Sequence, residues 1–426
     1  MADIAQQLRQ EVEEEERANR QEEIWKVVDD LVQPVFRFFG EHSICLVQLH
    51  LFRLWSFLQQ DINLRRRTLF PIFAKILDLD HHIFTYHRPF ELECGEVLPS
   101  IQVYYSTWGT YKPEENNVVW ICHALTANSD VSSWWEGIVG ENQFFDPEKH
   151  FIVCANILGS CYGSSGPLDI NPKTKKQYFL DFPLVTIRDM VRAHILLREH
   201  LGIQHVHTLV GGSLGGQQAL EWAIMENERF DNFVVLATNA YHSAWGIALN
   251  ETQRMAIAAD PTWSDEDENA GKQGLKAARA IAFLSYRNFD TYKKTQGETD
   301  IEKIDHYRAS SYQQHQGTKL VNRFNCHSYY YLTKALDSHH VGRGRGGAEK
   351  ALSMITAKTL VIGVSSDILF PVEEQKFIAQ HIKGSEYHEI DSFYGHDGFL
   401  TEAKAITQLL KNFFAHTEAK VNIKRP

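Results

Sequence analysis

From Phe84 to the C-terminus, short apolar runs alternate with longer stretches of helical spacing. The runs Val118–Cys122, Phe151–Asn156, His207–Val210, Phe233–Ala237 and Thr359–Val364 are rich in β-branched and aromatic residues and end at turn formers, which predicts buried strands. Glu386–Ile390 reads as one more. Strands alternating with helices are the signature of a mostly parallel sheet covered on both faces, the α/β class. Between Tyr241 and about Ala348 the strand signals fade, and Asn250–Ala259 and Leu275–Tyr286 place Ala, Ile and Leu at helical intervals. The pattern therefore predicts an α/β core over 83–240, a helical lid over 241–350 and the rest of the core over 351–426. A lid in that position tops the carboxyl ends of the strands, where open parallel sheets place their ligands. The run Gly342-Arg343-Gly344-Arg345-Gly346-Gly347 marks the return from lid to core.

Residues 1–82 differ in character. An acidic run, Glu13 to Glu16, leads into aromatic, helix-like segments and then the basic cluster Arg65, Arg66, Arg67. This reads as a helical N-terminal extension, either a solvated or mobile addition or upstream translation ahead of a start near His82. Its first 25 residues are crowded with Gln, Glu and Arg, where a secretory signal would need an apolar core. Ile44–Leu58 is short for a membrane span and is interrupted by Gln48, His50 and Arg53.

Composition narrows the function classes. Of the 426 residues, 43% are hydrophobic and 23% charged, enough to bury a large core. A formal net charge of -11 argues against a nucleic-acid partner, because phosphate binding needs a concentrated basic surface. The six cysteines are scattered without a C-x-x-C pair and read as reduced thiols. Together these features predict a cytoplasmic metabolic protein.

The sharpest chemical signal is Thr208-Leu209-Val210-Gly211-Gly212-Ser213-Leu214-Gly215-Gly216 ahead of the helix-prone Gln217–Met225. It is a strand, a G-x-S-x-G turn and a helix, the nucleophile turn of the α/β-hydrolase fold. A serine there needs a base, and this fold orders nucleophile, carboxylate and histidine along the chain. His396, in Gly395-His396-Asp397-Gly398 after the last strand, is the candidate base. Asp367, in the loop after Thr359–Val364, is the candidate acid. Leu214 N–H at the helix start is one candidate oxyanion donor. His123-Ala124-Leu125-Thr126 follows the strand 118–122, where this fold places a second donor, assigned here to Leu125; a merely structural loop is the alternative. His339 and His340 lie beside Asp337, but no H-E-x-x-H or cysteine pair supports a metal site, so surface or packing roles are expected.

Six segments in family order extend this picture: His123 to Thr126, Asn156 to Pro167, Gly211 to Gly216 with Ala219-Leu220-Glu221-Trp222, Gly342 to Gly346, Ser366 to Pro371, and Gly395 to Asp397. With them the chain resembles the homoserine O-acetyltransferase family from about Phe84 onward. The resemblance implies that serine takes an acetyl group from acetyl-CoA, as cosubstrate, and passes it to the hydroxyl of L-homoserine in methionine biosynthesis. It implies that Arg279 grips the acceptor carboxylate, that Asp397 receives its ammonium, and that Tyr286 lines the same cavity. It also implies a homodimer formed through lid helices, and no metal or bound organic cofactor. Other readings of Arg279 and Asp397 are a lid-surface ion pair and a helix cap. The sequence has Ala127 where the family usually has glycine. Some relatives use succinyl-CoA or acylate serine, and an esterase with the same triad is the main rival.

Overall fold

The structure is a computed structural model that describes residues 80–423. Apart from 80–82, the expected N-terminal extension lies outside the described residues. The first strand, β1 (Asp80–Tyr86), begins ahead of the expected core boundary at 83. It lies at the sheet edge with Phe84 inward and Ile83 exposed, so it lacks the continuous apolar run that marks an interior strand. The chain continues through the small hairpin β2 (Phe90–Glu91) and β3 (Val97–Leu98) to β4 (Ile101–Trp108), β5 (Val118–Cys122) and β6 (Phe151–Ala155). Helix α1 (Ile187–His200), β7 (Val206–Gly212), α2 (Leu214–Met225) and β8 (Phe230–Leu236) follow. Next come α3 (Ala244–Ala258), α4 (Lys272–Tyr286), α5 (Phe289–Gln296), α6 (Arg308–Val321), α7 (Cys326–Asp337) and α8 (Ala348–Leu352). The chain then forms β9 (Lys358–Val364), α9 (Val372–His381), β10 (Glu386–Ile390), α10 (Gly398–Thr401) and α11 (Ala403–Ile423).

Eight strands form one sheet in the order β1-β4-β6-β5-β7-β8-β9-β10. From β6 to β10 neighbouring strands run parallel, while β1 and β4 pair antiparallel at one edge. β4 is absent from the expected strands because its burial alternates at its start, through Gln102 and Tyr104, and an interrupted apolar pattern is a weaker signal.

Period-two geometry sorts the core into two layers. Val118, Trp120 and Cys122 of β5 join the cluster beneath α1 and α2, while Val119 and Ile121 join the opposite cluster with Phe413 of α11. Trp120 meets Trp222 of α2 edge to face at 4.9 Å. Helix α1 starts with a capping box in which Thr186 accepts from Asp189 N–H and Asp189 accepts from Thr186 N–H.

Helices α3 to α8 fill the chain between β8 and β9. The return segment is a clamp as well as a turn. Arg345 makes a two-pronged contact with Glu221 of α2, at 2.6 and 2.8 Å. Arg188 of α1 holds the same carboxylate at 2.5 Å and reaches Glu93 at 2.7 Å, and Arg343 completes the group at 3.1 Å from Glu93. The Glu221 side chain is 3% exposed, so its removal leaves the Arg345 guanidinium without its carboxylate in a low-dielectric site, while Arg188 keeps Glu93. Glu221→Ala is expected to destabilise the fold by about 3–5 kcal/mol, read as a lower midpoint in urea unfolding.

Candidate active site

Strand β7 delivers the chain to Ser213, whose backbone sits at φ 56° and ψ -127°, a strained conformation for a residue with a side chain. The glycines around it answer to close approach. A methyl group at Gly211 would lie 2.2 Å from the Gly215 carbonyl oxygen, and one at Gly215 would lie 2.0 Å from that of Cys122. Helix α2 can therefore start hard against the end of β5. Ser213 N–H donates to Leu236 O at 3.0 Å, and the Thr238 hydroxyl donates to Ser213 O at 2.8 Å. The end of β8 and the residues just beyond it thus hold the turn in its strained shape.

The structure brings Ser213, Asp367 and His396 together. His396 Nε2 lies 2.9 Å from Ser213 Oγ, and its Nδ1 lies 2.7 Å from Asp367 Oδ2. With Nδ1–H donating to the carboxylate, Nε2 is left to accept the serine proton. Asp367 Oδ1 in turn accepts from Leu369 N–H at 2.8 Å and Phe370 N–H at 2.9 Å, which fixes the carboxylate plane. All three side chains are buried, and the imidazole packs near the rings of Phe370, Phe399 and Tyr286 at 5.2, 5.3 and 5.9 Å. Water is largely kept from the base while its hydrogen bonds remain aligned.

Leu214 is the first residue of α2, so its N–H has no intrahelical acceptor. Leu125 lies in a turn closed by Ala127 N–H donating to Ala124 O at 3.0 Å. His123 anchors that turn. Its Nδ1–H donates to Ala124 O at 2.9 Å, and its Nε2 accepts from Ile157 N–H at 3.3 Å. Burial pushes its pKa down to about 4, which keeps the ring neutral, as this pair of bonds requires. Gln218 of α2 donates to His123 O at 3.1 Å, tying the turn to the helix that starts at the nucleophile.

Helix α4 contacts the turn Gly395–Asp397. On one of its faces the Arg279 guanidinium lies 4.4 Å from the Phe283 ring centre and 5.2 Å from that of Tyr286. Burial raises the Tyr286 phenol pKa, opposed by the Arg279 charge. Asp397 is also raised, first by burial, with Arg287 as the strongest opposing influence. The two form an ion pair, Arg287 Nη1 to Asp397 Oδ2, at 2.6 Å. The sequence reading missed Arg287, which lies just past the end of α4 in extended backbone, where helical spacing gives no signal. It also missed Arg323, which donates to Thr126 O at 2.5 Å and to the Tyr162 hydroxyl at 2.6 Å. Gln375 carried no sequence signal; buried on α9, it donates to Thr238 O at 2.6 Å and Phe370 O at 3.3 Å.

His339 is buried beside Asn239 O, at 3.1 Å from its Nε2, and Asp337 pairs with Arg254 and Asn250. Among the described residues no group of three or more His, Cys, Asp or Glu side chains could hold a metal ion.

Glu374 lies one turn beyond the acid loop, and burial pushes its carboxyl up to about 7 from an ordinary 4.5. Between those values the folded protein holds a proton that the unfolded chain has released, so stability falls as pH rises through this window. Glu374→Gln should therefore melt higher than the parent at pH 8, with the gain shrinking as pH falls towards 4.5. Thermal unfolding of both proteins across that range reads the effect.

The triad geometry also sets an outcome for the nucleophile. Ser213→Ala should reduce turnover on the order of 10⁶-fold while the protein remains folded. A labelled acetyl group still trapped on the variant, seen by intact mass, would rule out the assigned nucleophile.

A family profile described as the alpha/beta hydrolase fold matches residues 117–403. A homoserine O-acetyltransferase of Cyclobacterium marinum is 49% identical over 338 residues, covering 79% of this chain and 96% of that protein. A homoserine O-acetyltransferase of Chlorobaculum parvum is 44% identical, covering 78% and 93%. Among solved structures, the homoserine O-acetyltransferase of Bacillus anthracis superposes with a TM-score of 0.74 at 25% identity, over 79% of this chain and 97% of that one. Esterase E22 shares the fold at a TM-score of 0.71 and 24% identity, over 79% and 99%.

Proposed function

Because this chain belongs to the homoserine O-acetyltransferase family of α/β-hydrolase-fold enzymes, we propose that it moves an acetyl group from acetyl-CoA to the hydroxyl of L-homoserine. The observation that carries this reading is the unbroken relay from Asp367 through His396 to Ser213, with Arg279, Tyr286 and Asp397 beside it. Curated relatives with this name span nearly their whole length on the chain.

The reaction runs as two transfers through one serine. His396 Nε2 takes the hydroxyl proton as Ser213 Oγ attacks the thioester carbonyl. The negative charge that builds on the carbonyl oxygen meets the N–H groups of Leu125 and Leu214 and the positive end of α2. The carbon–sulfur bond breaks, and the CoA sulfur leaves with the proton from His396. L-Homoserine then enters with its carboxylate on Arg279, where a planar guanidinium can offer two parallel bonds. Its ammonium meets Asp397, and Tyr286 lines the space between. His396 takes the homoserine hydroxyl proton as that oxygen attacks the acyl-serine carbonyl; the bond from the carbonyl carbon to Ser213 Oγ then breaks, O-acetylhomoserine leaves, and His396 returns the proton to Ser213 Oγ. No metal and no bound organic cofactor takes part.

The wider setting follows from the same reading: methionine biosynthesis in the cytoplasm, by a homodimer joined through lid helices. Met255 on α3, Leu284 on α4 and Phe289 on α5 are exposed apolar side chains of these helices, which supports that reading. No helix among the described residues is long and apolar enough to cross a membrane.

CoA release from acetyl-CoA, followed by thiol titration with and without L-homoserine, tests the proposal. Release that rises several-fold with the acceptor, with O-acetylhomoserine identified by mass, is the expected outcome. Equal release without acceptor would make the protein a hydrolase. Preference for succinyl-CoA or L-serine in the same assay would reassign the donor or the acceptor.

A further inference from the structure

Asp397 is the residue after the base, yet its closest charged partner comes from the helical insertion. Arg287, just past the end of α4, holds Asp397 Oδ2 at 2.6 Å, with both side chains less than one-fifth exposed. The guanidinium is confined on three sides. It lies 5.4 Å from the Tyr394 ring centre and 5.8 Å from that of Phe283, and Nη1 lies 3.5 Å from Tyr394 O. A carboxylate has about four lone-pair sites, so the bond at Oδ2 leaves Oδ1 for another donor.

We propose that Arg287 is a positioning residue for acceptor recognition, fixing the Asp397 carboxylate beside His396 so that it can take the acceptor's ammonium. This rests on the transferase reading above. The charged and titratable groups that face Asp397 are Arg279, Tyr286 and Arg287 from α4 and its end, His396 from its own turn, and Asp367 from the acid loop. Burial favours the protonated carboxyl, and Arg287 is the largest influence against it. A protonated Asp397 would offer the ammonium no charge. Arg287 thereby works against protonation of Asp397, and Arg279 remains for the acceptor's own carboxylate.

The test compares the parent with Arg287→Met across pH 6 to 9, measuring kcat/KM separately for L-homoserine and for acetyl-CoA. His396 serves both half-reactions, whereas Asp397 governs acceptor capture. In the variant the acid limb of the acceptor profile should move up by about one pH unit or more, while the donor profile keeps its midpoint. At pH 7 the acceptor KM should rise about ten-fold or more, and recover as the pH is raised. Arg287→Lys, which restores the cation, should bring the limb back toward the parent position. Arg287→Gln is the neutral variant read if Arg287→Met does not fold, as judged by acetylation of Ser213 with p-nitrophenyl acetate. Unmoved acceptor midpoints in the folded neutral variant, with the parent still acceptor-dependent, overturn this proposal alone. A parent that releases CoA without regard to acceptor overturns the transferase reading and this proposal with it.

Discussion

Parallel pairing of β7, β8, β9 and β10 forces their carboxyl ends onto one edge, and the site depends on that alignment. Gly212 stands beside Leu236, Leu236 beside Ile362, and Val364 beside Ile390. Each strand then turns at the same level and releases one residue into the same small volume: Ser213 after β7, Thr238 after β8, Asp367 after β9 and His396 after β10. A slip of one residue in any pair would turn buried side chains to the other face and carry its turn away from the others.

A second route of hydrogen bonds joins Ser213 to Asp367 without passing through the imidazole. Ser213 O accepts from Thr238, whose own carbonyl accepts from Gln375; Gln375 also reaches Phe370 O, and Phe370 N–H holds Asp367. Asp367 returns to Ser213 through His396. Each link is buried, where an unmet polar group is most costly, so each member narrows the positions open to the next. The strained Ser213 backbone is bounded in this way on the helix side by Gly215 and on the strand side by Thr238.

Arginines fasten the helical insertion to the core at three places. At the return, Arg343 and Arg345 meet Glu93 and Glu221 beneath the sheet cluster. Beside the base, Arg287 meets Asp397. Arg323, between α6 and α7, reaches Thr126 next to the Leu125 turn. Planar guanidinium groups suit these roles because each can bind several fixed oxygens at once. The same insertion that covers the nucleophile therefore also aligns groups on the core side of the site.

The strands β5 to β10 and the G-x-S-x-G turn were legible in the sequence because they rest on local rules: apolar periodicity, turn formers and glycines that only close approach demands. Ser213, Asp367 and His396 could be chosen for the same reason, since each sits in a turn after its own strand. The edge strands β1 and β4 were not legible, because half-exposed pairing leaves a broken apolar pattern. Nor were the partners of Asp397, the anchoring of the Leu125 turn by His123, or the bridging amide of Gln375. Those depend on which distant side chains the packed helices bring within about 3 Å, and that is decided by register and helix docking, which no single segment of the chain encodes by itself.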